Sequence, residues 1–270
     1  MTEAAQSGGA RGPVQGPVVR KVTIGDLLEV LAAGLRDFRR APLHGMALGG
    51  VYAAGGWLLI LMLIRFDLPF LVYPLAAGFA LVAPFIATGF YAVSACLERG
   101  EKVSWLAVHR SVRHASNWDL GWMALVTGFA FFIWMDIAAL LFFGFLGLNA
   151  LSSENFILNI LTTPAGLMFL VIGNAVGAVI ALGVFSFSVT SFPMLFERDC
   201  DFVTAMVTSV RVVLANRAVM VIWCALIAIL IGLSLLSGLV GLLVVLPVLG
   251  HASWHLYRRA VAPAGEAISP

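Results

Sequence analysis

The stretch FAFFIWMDIAALLFFGF, Phe129 to Phe145, decides the fold. It carries one charge, Asp136, and no other polar side chain. An apolar run with no alternation and no breaker reads as a helix in hydrocarbon. A carboxylate inside such a run has to be paired, protonated or near water, because an isolated charge at that depth costs about 2.5–3.5 kcal/mol on insertion scales.

Composition points the same way along the whole chain. Of 270 residues, 61% are hydrophobic and 11% charged, and the mean hydropathy is +1.01. A water-soluble domain carries about 25% charged residues. This chain cannot cover a water-facing surface, so most of it is expected in lipid. The formal net charge of +2 gives no global basic field for nucleic acid. Three cysteines, Cys96, Cys200 and Cys224, without CxxC spacing argue against a disulfide framework or a zinc site. Residues 1–20 are rich in Gly, Pro and small side chains and are expected as a disordered tail. Residues 21–260 form the membrane domain, and 261–270 a flexible C-terminal tail.

Six stretches are long enough to cross a bilayer: Met46–Ile64, Phe70–Leu97, Leu120–Leu148, Gly166–Phe196, Val219–Leu236 and Gly238–Tyr257. The expected fold is an all-α polytopic bundle of six transmembrane helices. Charge sets its orientation. Fifteen of the sixteen Lys and Arg residues fall before the first span, between the second and third, between the fourth and fifth, or after the sixth. The exception is Arg65, in the first hairpin. The positive-inside rule then predicts cytoplasmic N- and C-termini in a bacterial inner membrane.

The three charged approaches resemble one another. TIGDLLEVLAAGLRDFRRAP, VSWLAVHRSVRHASNWD and DFVTAMVTSVRVVLANRA each precede an odd-numbered span. Each reads as a short amphipathic helix, with Leu27, Leu28, Leu31 and Leu35 on one side of the first. Each carries an Arg near its end: Arg36, Arg113 and Arg211. The second helix of each hairpin holds a proline, Pro84, Pro193 or Pro247. The pattern suggests three repeats of an interfacial helix plus a transmembrane hairpin. The apolar sides would lie at the headgroup boundary and the three Arg would meet lipid phosphates. The same helices would also cap the end of the bundle.

Four segments carry a resemblance: TIGDLLEVLAAGLRDFRRAPLHG, YPLAAGFALVAPFIATGFYAVSACLERG, SFPMLFERDCDFVTAMVTSVRVVLANR and VVLPVLGHASWHLYRR. They resemble an uncharacterised, mainly proteobacterial family of multi-pass integral membrane proteins, a domain of unknown function. The resemblance spans roughly Val22 to Pro263 and implies an inner-membrane protein without an assigned activity. Some members carry the label cytochrome c oxidase subunit I. That chemistry needs several intramembrane imidazoles for two haems and a copper. Of five histidines only His251 and His255 lie near a span, so the catalytic-subunit reading fails.

Few residues suggest chemistry. His251 and His255, at i and i+4, share a helical face and are weak metal candidates; an interfacial anchor beside Trp254 and Tyr257 is the stronger reading. No P-loop and no nucleophile–base pair is present. Gly50 with Ala54, and Gly173 with Gly177, place small residues where helices approach closely. Ser186, Ser188, Thr190 and Ser191 are expected to bond back to the helix or across to a neighbour. Counted from Leu120, Asp136 lies about 24 Å along its helix, deep but close to the outer edge of an untilted span. Arg65 and Asn174 are its candidate partners, and the favoured reading is an outer-edge polar contact with Arg65 that fixes helix register. No catalytic residue and no cofactor is expected. The expected partners are the lipid bilayer and another inner-membrane complex, with a structural, assembly or regulatory role rather than an enzymatic one. The alternative is a small transporter or channel using Asp136.

Overall fold

The structure, a computed structural model, describes residues 17–65, 86–115, 118–148 and 156–262. It is built from helices in chain order: α1 (Ile24–Arg40), α2 (Pro42–Arg65), α3 (Ile86–Glu98), α4 (Trp105–Ala115), α5 (Trp118–Leu146), α6 (Phe156–Thr162), α7 (Pro164–Ser188), α8 (Ser191–Glu197), α9 (Phe202–Ala215), α10 (Arg217–Leu236) and α11 (Leu242–Ala260). Two short strands, β1 (Val18–Val19) and β2 (Val261–Ala262), pair antiparallel, with Val18 opposite Ala262.

Four helical stretches are long and apolar enough to cross a membrane: Pro42–Met62, Trp118–Leu146, Pro164–Glu197 and Arg217–Leu236. They coincide with the first, third, fourth and fifth expected spans. Most of the second expected span, with Pro84, lies outside the described residues. The sixth is helical, as α11, but its second half, GHASWHLYRRA, is too polar to meet the same criterion. Between the third and fourth expected spans the chain forms a further short helix, α6.

Each of the three amphipathic segments forms a helix that leads almost directly into a long apolar one. Ala41 alone separates α1 from α2, and Asn216 alone separates α9 from α10. Local chemistry sets these starts. Thr23 accepts the Asp26 amide while the Asp26 carboxylate accepts the Thr23 amide at 2.7 Å, a reciprocal cap on α1. Asp201 caps α9 by accepting the Thr204 amide at 2.8 Å.

Burial is concentrated at the end where these short helices lie, called here the charged end. Buried side chains come from α1 (Leu27, Val30), α3 (Tyr91, Val93), α8 (Met194, Leu195), α9 (Ala205, Val212) and the second half of α11 (Trp254, Leu256, Tyr257). In α5 only Leu120, Met123, Ala124 and Gly128 are buried, all near that end. The rest of α5, and α7 beyond Gly166, leave apolar side chains uncovered by protein. A protein that buries its polar end and exposes its greasy one is solvated by lipid.

Small residues allow the closest approaches. A Cβ on Gly34 would stand 2.5 Å from the Val248 carbonyl oxygen and 2.7 Å from the Ala252 nitrogen, so α1 lies directly on α11. Gly45 and Gly49 let α2 pass Pro247 and Leu242 of the same helix. Gly177 accepts the edge of Trp134, joining α5 to α7. Near the end of α7, Ser186 and Ser191 donate to the carbonyls of Leu182 and Phe187, and Ser209 of α9 donates to Ser186. Ser186 and Ser191 thus make the back-bonds expected of that stretch, whereas the cross-helix bond uses the Ser186 backbone and the buried Thr190 hydroxyl has no partner among the described residues.

Two expectations about the ends are corrected. Val18, Val19, Val261 and Ala262 fall in the expected tails but form β1 and β2, and Val261 and Ala262 are buried. The cause lies elsewhere in the chain: Asn216 accepts the Val22 amide at 2.9 Å and donates to the Arg20 carbonyl at 3.1 Å. Arg198 donates to the carbonyls of Val261 and Ala262. On α1 the buried stripe is Leu27, Val30, Gly34 and Asp37. Leu28, on the apolar side expected at the headgroup boundary, is 67% exposed.

Candidate functional site

Two groups of residues stand out, one in the apolar half and one at the charged end. The first is centred on Asp136. Ten residues without a charge, Ile137–Leu146, follow it to the end of α5. At 1.5 Å per residue they extend about 15 Å, half the thickness of a hydrocarbon layer. The other end, Trp118, is eighteen residues or about 27 Å away, so Asp136 lies within the apolar region but nearer the end remote from the charged one. It is also exposed. Leu125, Phe129, Ile133, Asp136, Leu140 and Phe143 recur at intervals of three and four residues, which puts them along one face of α5. All six are uncovered by protein, Leu140 by 73% and Phe129 by 65%.

The expected contacts of Asp136 are not formed. Among the described residues no hydrogen bond or ion pair joins it to Arg65 or to Asn174. Two ring contacts fix the antiparallel register of α5 and α7: Trp134 on Gly177, and Phe142 edge-on to Phe169 at 5.8 Å. This register puts Asn174 level with Asp136. But Asn174 lines a groove shared with Trp134, Ala138 and Leu141, on the other side of α5, and its amide donates to the Leu170 carbonyl at 2.7 Å. Arg65 ends α2, which packs on α11 and α1.

The second group is a buried polar knot where α1, α3 and α11 meet. Asp37, 6% exposed, accepts the Ser94 hydroxyl at 2.8 Å and faces His255 Nε2 at 2.8 Å. The His251 ring is fully buried. Its Nδ1 lies 2.9 Å from Ser94 Oγ and 3.1 Å from the Phe90 carbonyl oxygen. That carbonyl can only accept, and the Ser94 proton is committed to Asp37, so Nδ1 carries the hydrogen. The second nitrogen of His255 faces Glu98 at 3.4 Å. Burial pushes the Asp37 carboxyl up, but hydrogen bonds from His255 and Ser94 outweigh it and hold the group below its ordinary value. Glu98 behaves alike: burial raises it, and His255 and Arg258 bring it below the usual range.

Around the knot the basic end of α11 is tied to its neighbours. Arg259 pairs with Asp26 and Glu29 of α1. Arg258 donates to Glu197 of α8 at 2.6 Å, and the Tyr257 hydroxyl donates to the same carboxylate at 2.5 Å. The two histidines thus act as separate links in a core rather than as an interfacial anchor. Among the described residues no group of three or more His, Cys, Asp or Glu is placed to hold a metal ion. Asp37 went unnoticed in the sequence because it sits in an Arg-rich segment that reads as solvated. Its spacing of three from Gly34 and ten from Leu27, on the buried stripe, was the available signal. Arg36, Arg113 and Arg211 all lie exposed on α1, α4 and α9.

Residues 72–197 match the family described as Predicted integral membrane protein (DUF2189). The resemblance to a family of integral membrane proteins of unknown function therefore holds, over a narrower stretch than Val22 to Pro263. The matched stretch contains α3 to α8, and so the whole exposed face of α5 with Asp136. It leaves α1 and α11, with Asp37, His251 and His255, outside. No curated protein and no solved structure matches the chain.

Proposed function

We propose that this chain is a non-enzymatic component of the bacterial inner membrane that associates laterally with another membrane protein, in a structural, assembly or regulatory role. The observation that carries the reading is the exposed face of α5, where a carboxylate stands among apolar side chains about 15 Å from the end of the helix. Lipid-facing surfaces do not carry ionisable groups without a partner. In this reading the chain crosses the membrane six times, α11 completes the last hairpin, and the charged end faces the cytoplasm with both termini. The three units of short helix plus hairpin form a threefold repeat, whose helices α1, α4 and α9 present Arg36, Arg113 and Arg211 to lipid phosphates. Asp37, Ser94 and His251, bonded to one another in a core, serve to hold α1 on α11 rather than to act on a substrate.

A photoreactive amino acid placed at Ile133 or Leu140 in the full chain, in living cells, tests the association. We expect adducts larger than the chain at both positions and none at Ile229, an exposed apolar residue of α10. Absence of adducts at both seam positions would overturn the reading.

The second reading is a small transporter or channel using Asp136. Its support is the depth of that carboxylate. Against it, Asp136 stands on the outer face of α5, while the groove between α5 and α7 is lined by Trp134, Ala138 and Asn174. Flux in proteoliposomes that depends on Asp136, lost in Asp136→Asn, would favour this reading over association.

A further inference from the structure

We propose that the Asp136 face of α5 docks a transmembrane helix that carries a basic side chain, Lys or Arg, level with Asp136. The inference rests on the reading of lateral association and names the chemistry of the partner.

The argument is one of charge. Asp136 lies about 15 Å from the outer end of α5 and has no partner among the described residues. Within the chain a cation has little means of reaching it. α7 contains no Lys or Arg, and Arg217 of α10 stands at the charged end. Arg65 ends α2, which packs on α11 and α1, and among the described residues no ion pair joins it to Asp136. The complement must come from outside. A second copy does not supply it. Two parallel copies related by a twofold axis would set Asp136 against Asp136, two like charges in a low-dielectric layer. A basic residue on a neighbouring helix neutralises the carboxylate and is itself neutralised, which is how intramembrane charges are ordinarily accommodated.

The surroundings of Asp136 suit a helix rather than a small ligand. Leu125, Phe129, Ile133, Leu140 and Phe143 continue the face for several turns above and below it. The three- and four-residue spacing is the one on which two helices interlock along their length. The carboxylate at the centre of the seam fixes register: the partner's cation has to fall opposite it, and slippage by one turn would strand both charges in lipid.

The test uses the full chain in lipid vesicles, labelled with a fluorescence donor beyond Ala262. The probes are acceptor-labelled transmembrane peptides of a leucine–alanine repeat that differ only at the central residue: Lys, Leu or Glu. Energy transfer is titrated against peptide-to-lipid ratio for the wild type and for Asp136→Asn, which keeps the shape and loses the charge. The expected result is half-maximal transfer at an about tenfold lower ratio for the Lys peptide than for the Leu peptide, reduced to less than about twofold in Asp136→Asn. Circular dichroism of the variant controls for folding. Equal titrations for the Lys and Leu peptides overturn the proposal, as does a Lys preference that persists in Asp136→Asn. Transfer between donor- and acceptor-labelled copies of the chain, lost in Asp136→Asn, also overturns it in favour of self-association. If the peptide preference is absent while adducts at Leu140 form in cells, the basic partner is wrong and lateral association stands. If neither appears, both fail.

Discussion

Replacing Gly34 by alanine sets two effects against each other. Alanine is the better helix former by about 1 kcal/mol, so in open space the substitution stabilises. Here the new methyl would meet the Val248 carbonyl oxygen at 2.5 Å, the Ala252 nitrogen at 2.7 Å and the Ala252 Cβ at 2.9 Å. Two of these atoms are backbone and cannot rotate aside. Bringing the closest contact merely to 3.0 Å requires α1 to lift by about 0.5 Å. Overpacking of this kind costs about 1–3 kcal/mol, and rigid neighbours favour the upper part of that range. Asp37 is three residues further along the same face, so the lift also stretches its bonds to Ser94 and His255. The expected net change is a loss of about 1–2 kcal/mol. Gly121 on α5 is the control, since a Cβ there meets nothing within 4 Å; Gly121→Ala should be neutral or stabilise by up to about 1 kcal/mol. Both variants are compared with wild type by chemical denaturation in one detergent, followed by Trp fluorescence. If Gly34→Ala is as stable as wild type or more so, the close packing of α1 on α11 is wrong.

Asp37→Asn removes the acceptor shared by Ser94 and His255 and leaves buried donors facing an amide. It should cost about 2–4 kcal/mol and appear as a lowered unfolding midpoint. The pH dependence follows from the same group and Glu98. Both carboxyls are held lower in the folded chain than when unfolded, so their stabilisation is complete at neutral pH. It begins to fade near their unfolded values, about pH 4, and is lost as pH falls through the folded ones. Unfolding midpoints measured from pH 7 to pH 3 should drop below about pH 4, and the drop should be shallower in Asp37→Asn. Asn216→Ala frees the Val22 amide and the Arg20 carbonyl, so exchange of the Val22 amide proton should accelerate about tenfold or more while α5 and α7 keep their protection.

The apolar helices were legible because lipid demands length and hydrophobicity, and both are written locally. α2, α5 and α10 begin and end within a few residues of the expected spans, and α7 and α8 together cover the fourth. What α1 packs against was not legible. An amphipathic helix at a headgroup layer and one against protein share the same periodicity, and only the partner tells them apart. Hydrophobicity alone does not point to Gly34 and Asp37, whose burial depends on Val248, Ala252 and Ser94 far along the chain. Asp136 was read correctly as the anomalous residue of its run. Its orientation was not, because helix spacing gives which residues share a face but not what that face meets. The knot at His251 and His255 was seen only as an i, i+4 pair, since its other members come from α1 and α3.

The contact of α1 with α11 joins the first described helix to the last described one. Until that final segment has been synthesised, α1 has no surface on which to lay Gly34 and Asp37, and β1 has no strand to pair with. The early hairpins can enter the bilayer as they emerge, but the closing step must wait on the ribosome. A chain stopped short of α11 would therefore leave Asp37 with Ser94 but without His255, and the Gly34 face of α1 uncovered.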